Sequence, residues 1–110
     1  MNLNEYQGQA RSFAKYPRDA AVVYPTLGLV GEAGEVAEKI KKLIRDESGI
    51  EGMTENKKLE IAKELGDVLW YLANLSHDLG FTLGQVAVMN INKLTDRNTR
   101  GVISGSGDNR

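Results

Sequence analysis

Apolar residues along this chain recur at spacings of three and four, not two, and that pattern predicts helices with no convincing strand. A first helix is expected over Leu3 to Lys15, with Asn2 as its cap, Glu5 at the capping-box position and Pro17 barring continuation. Arg18 to Tyr24 reads as a loop. A second helix begins near Pro25–Thr26 and runs to about Arg45, carrying Leu29, Ala33, Val36, Ile40 and Ile44 on one face. After a loop over Asp46 to Met53, Thr54 can cap a third helix that reaches about Leu79, with Gly80 as its stop. Its apolar stripe is Ile61, Leu65, Val68, Leu69, Leu72 and Leu79. Thr82 and Gln85 form a capping box for a fourth helix, which carries Leu83, Val86, Val88, Met89, Ile91 and Leu94 and frays near Arg100. The expectation is an all-α, four-helix, bundle-like chain: one domain over 1–110, ending in an irregular glycine-rich tail over 101–110.

Two details do not fit a simple amphipathic bundle. Gly31 and Gly34 fall inside the second helix, where each costs about 1 kcal/mol relative to alanine, so another backbone or a ligand is expected to come close there. Trp70 lies nearly opposite the core stripe of the third helix, while Tyr71 shares the side of Glu64. A helix with two apolar faces is most simply explained by burial in a homodimer or a dimer of dimers. For Tyr71 the alternative to dimer burial is stacking against the ring of a ligand.

Composition narrows the field mainly by exclusion. With 110 residues the chain is long enough for one small core, and its formal net charge of −1 offers no general attraction to nucleic acid. Cysteine is absent, which removes disulfide frameworks and thiolate metal sites. The amino-terminal MNLNEYQGQARSF lacks the apolar run of a signal peptide, and no stretch approaches the roughly 20 apolar residues that span a bilayer. A cytoplasmic protein with neither membrane nor nucleic-acid partner is expected.

The chemistry lies in the acidic residues of the two central helices. Residues three apart on a helix differ by about 60° in azimuth and about 4.5 Å in height, so Glu32 and Glu35 can reach one ion, as can Glu64 and Asp67. Two antiparallel helices packed through their stripes would bring the pairs together at one margin. Carboxylates about 4 Å apart repel by roughly 4 kcal/mol at an effective dielectric near 20, and such a cluster persists most easily around a cation. All-oxygen ligation suits Mg²⁺ or Mn²⁺. The competing reading is an ordinary solvated acidic face, with Glu35 and Glu38 paired to Lys39 and Lys42. A di-iron site is disfavoured because it wants Glu-x-x-His twice, whereas the one histidine, His77, is a surface or interface residue about 15 Å along the helix from Asp67. Nothing supports serine or cysteine nucleophile chemistry, or a P-loop. On the fourth helix Asn90, Lys93 and Arg97 share one face and could bind phosphate oxygens; the alternative is an exposed polar stripe.

The runs GLVGEAGEVAEK and KELGDVLWYLANL together resemble the MazG-type all-α nucleoside triphosphate pyrophosphohydrolases, whose signature is ExxE on one helix and ExxD on the next. The resemblance continues through NINKLTDRNTRG and GSGDNR, and more weakly back to EYQGQA, covering nearly the whole chain. It implies Mg²⁺-dependent cleavage of nucleoside triphosphates between the α- and β-phosphates, obligate dimers sometimes paired as tetramers, and Glu32, Glu35, Glu64 and Asp67 as metal ligands. Some members begin the first motif with a further glutamate; here that position is Gly31, which leaves the ligation to the four named residues. Glu38 is a candidate general base by adjacency. The alternatives are hydrolysis of a phosphoribosylated adenine nucleotide, and a non-catalytic helical oligomer or partner-binding module.

Overall fold

The computed structural model describes residues 1–46 and 49–110. Its elements are α1 (Leu3–Ser12), α2 (Val23–Asp46), α3 (Glu55–Asp78) and α4 (Leu83–Arg100), with short 3₁₀ turns at Arg18–Ala20 and Ile50–Gly52 and no strand among the described residues. The caps are those the sequence predicts. The Asn2 side chain accepts the Glu5 N–H at 2.8 Å. Thr54 accepts from Lys57, and Thr82 and Gln85 exchange both bonds of a capping box. Gly101 closes α4 in the left-handed region, with φ 74°.

Two helix ends differ from expectation. α1 stops at Ser12, where the Phe13 N–H turns back to Ala10, so the chain leaves the helix before Pro17 can act. α2 starts two residues early, at Val23. Val22 adopts φ 68°, uncommon for a β-branched residue, and its carbonyl accepts from both the Thr26 N–H and the Thr26 hydroxyl. Pro25 then falls in the first turn, where its missing N–H has no helical partner to lose. Of the predicted loop over Asp46 to Met53, Glu47 and Ser48 lie outside the described residues.

α2 and α3 form an antiparallel hairpin, the main packed pair in the chain, and α1 lies across α3 and the start of α4. The core is small. Ala10, Ala73 and Leu83 are buried together, with Tyr6, Leu69, Trp70 and Leu72 packed around them. Trp70 therefore turns onto this core and does not form the outward apolar face expected of it. Gln7 fastens the same region: its Nε2 donates to the carbonyls of Ala73 and Phe81, and its Oε1 accepts from the Leu83 N–H. The stripes read from periodicity are wider than one chain covers, since Ile44, Leu65 and Leu79 are all more than half exposed. The radius of gyration is 16.9 Å, well above the ~13 Å of a compact chain this long.

The carboxyl-terminal tail folds back on α4 through side chains. Arg97 donates to the Gly107 carbonyl and to Asp108, Lys93 donates to Asp108, and Arg110 donates to the carbonyls of Val102, Ile103 and Gly107. Arg97 is only 5% exposed, so the solvent-facing cationic row expected on α4 is interrupted by the chain's own tail.

Asp78, at the end of α3, organises the segment between α1 and α2. Its side chain is 2% exposed and pairs with Arg11 at 3.0 Å. It also accepts the Tyr16 hydroxyl at 2.8 Å and the Val22 N–H at 3.0 Å. Burial alone would raise its carboxyl, but the Val22, Tyr16 and Arg11 donors outweigh that and hold it below the ordinary aspartate range. Its contribution is therefore complete above the unfolded-state value of about pH 3.9 and is lost as pH falls through the depressed folded value. Asp78→Ala strands three donors and is expected to cost about 3 kcal/mol of stability, read as a lower urea midpoint at pH 7. A midpoint within 0.5 kcal/mol of wild type (roughly the scatter of a surface substitution) would show that the network is not a structural anchor.

Candidate metal centre

The helical hairpin brings carboxylates of distant sequence together. Glu32 from α2 meets Glu64 and Asp67 from α3, with ligand oxygens all within 4.8 Å of one another. Oxygens around a Mg²⁺ ion at about 2.1 Å lie roughly 3–4 Å apart, so small side-chain rotations would bring these three into one coordination sphere. The donor set, three carboxylates without nitrogen or sulfur, fits a hard divalent cation. The crowding shows in Glu32, whose carboxyl is raised by burial, by the charges of Asp67, Glu64 and Glu35, and by a hydrogen bond with Glu64.

The other acidic candidates sit elsewhere. Glu35 is near enough to raise Glu32 but lies outside the three-residue group, on the wall of a neighbouring cleft. That cleft, of about 280 Å³, runs between α2 and α3 and is also lined by Glu38, Lys39, Lys42, Lys57 and Glu60. Glu38 is bound by Lys41 at 2.7 Å, and this bond and its charge hold the carboxyl low. Lys39 pairs neither with Glu35 nor with Glu38; its ammonium lies 3.7 Å from Glu64. Asn90 and Lys93 line a separate surface cleft with Val86 and Met89, and Lys93 and Arg97 pair with Asp108. His77 is exposed.

On the other side of the carboxylates lies an aromatic pocket of about 390 Å³, walled by Phe13, Tyr16, Tyr24, Trp70 and Tyr71. Tyr16 and Tyr24 stack with ring centres 4.8 Å apart, and Trp70 meets Tyr71 edge-on at 5.0 Å. Tyr71 joins the two features. Its ring walls the pocket and rests against Gly28, and its hydroxyl is raised by burial and further by Tyr24, Glu32 and Asp67. Sequence reasoning reached Tyr71 but missed Phe13, Tyr16 and Tyr24. The available signal was that few aromatics occur and several flank one loop: five of the seven in the chain line this pocket.

Within the chain, the glycine that close approach requires is Gly28. A β-carbon at Gly28 would fall 2.1 Å from the Tyr71 ring, whereas one at Gly31 or Gly34 would meet nothing within 4 Å.

The fold and the site define an all-α protein whose helical hairpin brings three carboxylates together beside an aromatic pocket. The chain belongs to the MazG family: the model of the MazG nucleotide pyrophosphohydrolase domain matches residues 25–102. It is similar along the whole length of both chains to the gene 37 protein of Mycobacterium phage L5, at 45% identity. No solved structure matches it. Nucleotide pyrophosphohydrolysis is the general activity the family implies, and it is typically metal-dependent; Glu32, Glu64 and Asp67 form the group that can bind the metal. No helix among the described residues is long and apolar enough to cross a membrane.

Gly28→Ala tests the coupling of helix packing to the pocket. The added methyl must displace Tyr71, and the expected result is a loss of about 1–3 kcal/mol together with changed tyrosine and tryptophan fluorescence. Unchanged stability and spectra would mean that the ring does not rest on the α2 backbone.

Proposed function

We propose that this protein hydrolyses (deoxy)nucleoside triphosphates to the nucleoside monophosphate and pyrophosphate, with Mg²⁺, or Mn²⁺ in its place, held by Glu32, Glu64 and Asp67 and approached by Glu35. The observation that carries the reading is the convergence of the three carboxylates from two helices. When bound, the ion supplies charge neutralisation for the phosphate chain and polarises the scissile anhydride. The protein's residues do the rest. Water attacks the α-phosphorus, the bond from it to the bridging oxygen of the β-phosphate breaks, and pyrophosphate leaves. Glu35 stands beside the cluster without belonging to it and is the carboxylate placed to take the proton of the attacking water. Glu38 is the weaker candidate for general base, because Lys41 already occupies it and lowers its basicity. The aromatic pocket receives the base against Tyr71, with Tyr16 and Tyr24 as further walls.

Assembly belongs to the same reading. Val23, Leu27 and Val30 lie on one face of α2 at spacings of four and three, and Leu27 and Val30 are 67% and 68% exposed. Gly34 continues that face with open space above it, which suits the close approach of a helix from a second copy. The protein is proposed to act as a homodimer or a dimer of dimers. Leu27→Glu is expected to shift it to monomers in light scattering at micromolar concentration. A wild-type protein that is already monomeric there would rule out this interface.

Two measurements address the chemistry. Phosphorus NMR of the products should show pyrophosphate; orthophosphate with a nucleoside diphosphate would exclude α-phosphate cleavage. Asp67→Asn should lower turnover by orders of magnitude while leaving metal-free stability level or higher, because a like-charge contact has gone. Its melting temperature should also respond less to added Mg²⁺ than wild type does, since a ligand stabilises only the state it binds. Equal Mg²⁺ responses and equal turnover in the two proteins would remove Asp67 from the site.

A further inference from the structure

The acidic cluster is not left to the solvent. Lys39 lies 3.7 Å from Glu64, with its side chain 33% exposed and that of Glu64 20% exposed. It stands seven residues beyond Glu32 on α2, and so within about 20° of it around the helix and about 10.5 Å further along. The neighbouring cations are committed elsewhere: Lys41 to Glu38 at 2.7 Å, and Lys57 to Glu60 at 3.3 Å. Among the described residues, Lys39 is the cation that forms an ion pair with the triad. It is also part of the wall of the 280 Å³ cleft, together with Lys42 and Lys57. One side chain thus borders both the carboxylates and a lysine-bearing cavity next to them.

We propose that Lys39 is a built-in counter-cation: with no ion bound its ammonium neutralises Glu64, and when a divalent ion takes Glu64 the freed ammonium turns into the cleft to bind the diphosphate end of the substrate. This rests on the metal reading above. The physical basis is that Glu64 cannot donate fully to a divalent ion while it holds an ammonium, and that the ammonium itself repels the ion. A lysine suits both positions, because its charge is compact and its four-carbon stem rotates freely. In the cleft the released charge would join Lys42 and Lys57 around a polyanion, on a wall where Glu38 is already held by Lys41 and Glu60 by Lys57. The exchange ties the arrival of the ion to the readiness of the phosphate subsite.

The test uses the full chain and three probes: Mn²⁺ alone by electron paramagnetic resonance, inorganic pyrophosphate by calorimetry at saturating Mg²⁺, and the melting temperature without metal. Lys39→Met should bind Mn²⁺ about three- to tenfold more tightly, bind pyrophosphate about tenfold more weakly, and melt lower than wild type when metal-free. Lys39→Arg, with a bidentate grip on Glu64, should shift Mn²⁺ affinity the opposite way, to several-fold weaker, and this decides the matter should Lys39→Met not fold. Lys41→Met removes an equal charge two residues away and should leave Mn²⁺ affinity unchanged. Mn²⁺ affinity that does not move with either Lys39 variant, or that tightens as much in Lys41→Met, overturns the role of Lys39 while leaving the metal site standing. So does unchanged pyrophosphate binding in Lys39→Met. Failure of the wild-type protein to bind Mn²⁺ overturns the metal site and Lys39's role together.

Discussion

Carboxylates that share a few ångströms repel, and the α2–α3 seam places that repulsion in the middle of the best-packed pair of helices in the chain. Much else follows from holding the seam closed against it. Leu43 fills the seam where α2 continues past the cluster. Lys39 reaches across to Glu64. Asp78 then pins the far end of α3 to the segment that leads into α2. The helices spend part of their packing energy on keeping anions together, which is the arrangement expected where a cation is to be received and not where stability alone is selected.

The same geometry gives the site two unlike sides. Toward the carboxyl end of α2 the seam opens into a charged cleft, and toward its amino end it opens into an aromatic pocket. Tyr71 touches both worlds, resting on the bare backbone at Gly28 with Glu32 and Asp67 near its hydroxyl.

Much of this was legible in the sequence, for physical reasons. Helix caps are local: Asn2 with Glu5, Thr54 with Lys57, and Thr82 with Gln85 each act within three residues, so they can be read along the chain. Helical spacing sets azimuth, so Glu32, Glu35, Glu64 and Asp67 were expected near one margin, and the structure brings Glu32, Glu64 and Asp67 together there. What could not be read depends on distant partners. Nothing near Arg97 announces that Asp108 and Gly107 will bury it. Nothing near Trp70 says that Ala10 will offer it a core. Nothing near Glu38 in the sequence decides that Lys41, rather than Lys42, will hold it. The segment over 13–22, read as a helix end to Lys15 followed by a loop from Arg18, takes its order from Asp78, more than fifty residues away.

That distance has a consequence for how the molecule comes together. The two helices that carry the carboxylates are neighbours along the chain and can zip from their short connection, which is the kind of local assembly that proceeds fast. The bonds that set the aromatic wall close chain separations of 56, 62 and 67 residues, from Val22, Tyr16 and Arg11 to Asp78. Loop closure on that scale comes late, after its entropy has been offset by contacts already made. A newly made chain would therefore hold the carboxylate hairpin before it holds the aromatic pocket, and the order of folding repeats, in time, the division between the anionic and aromatic halves of the site.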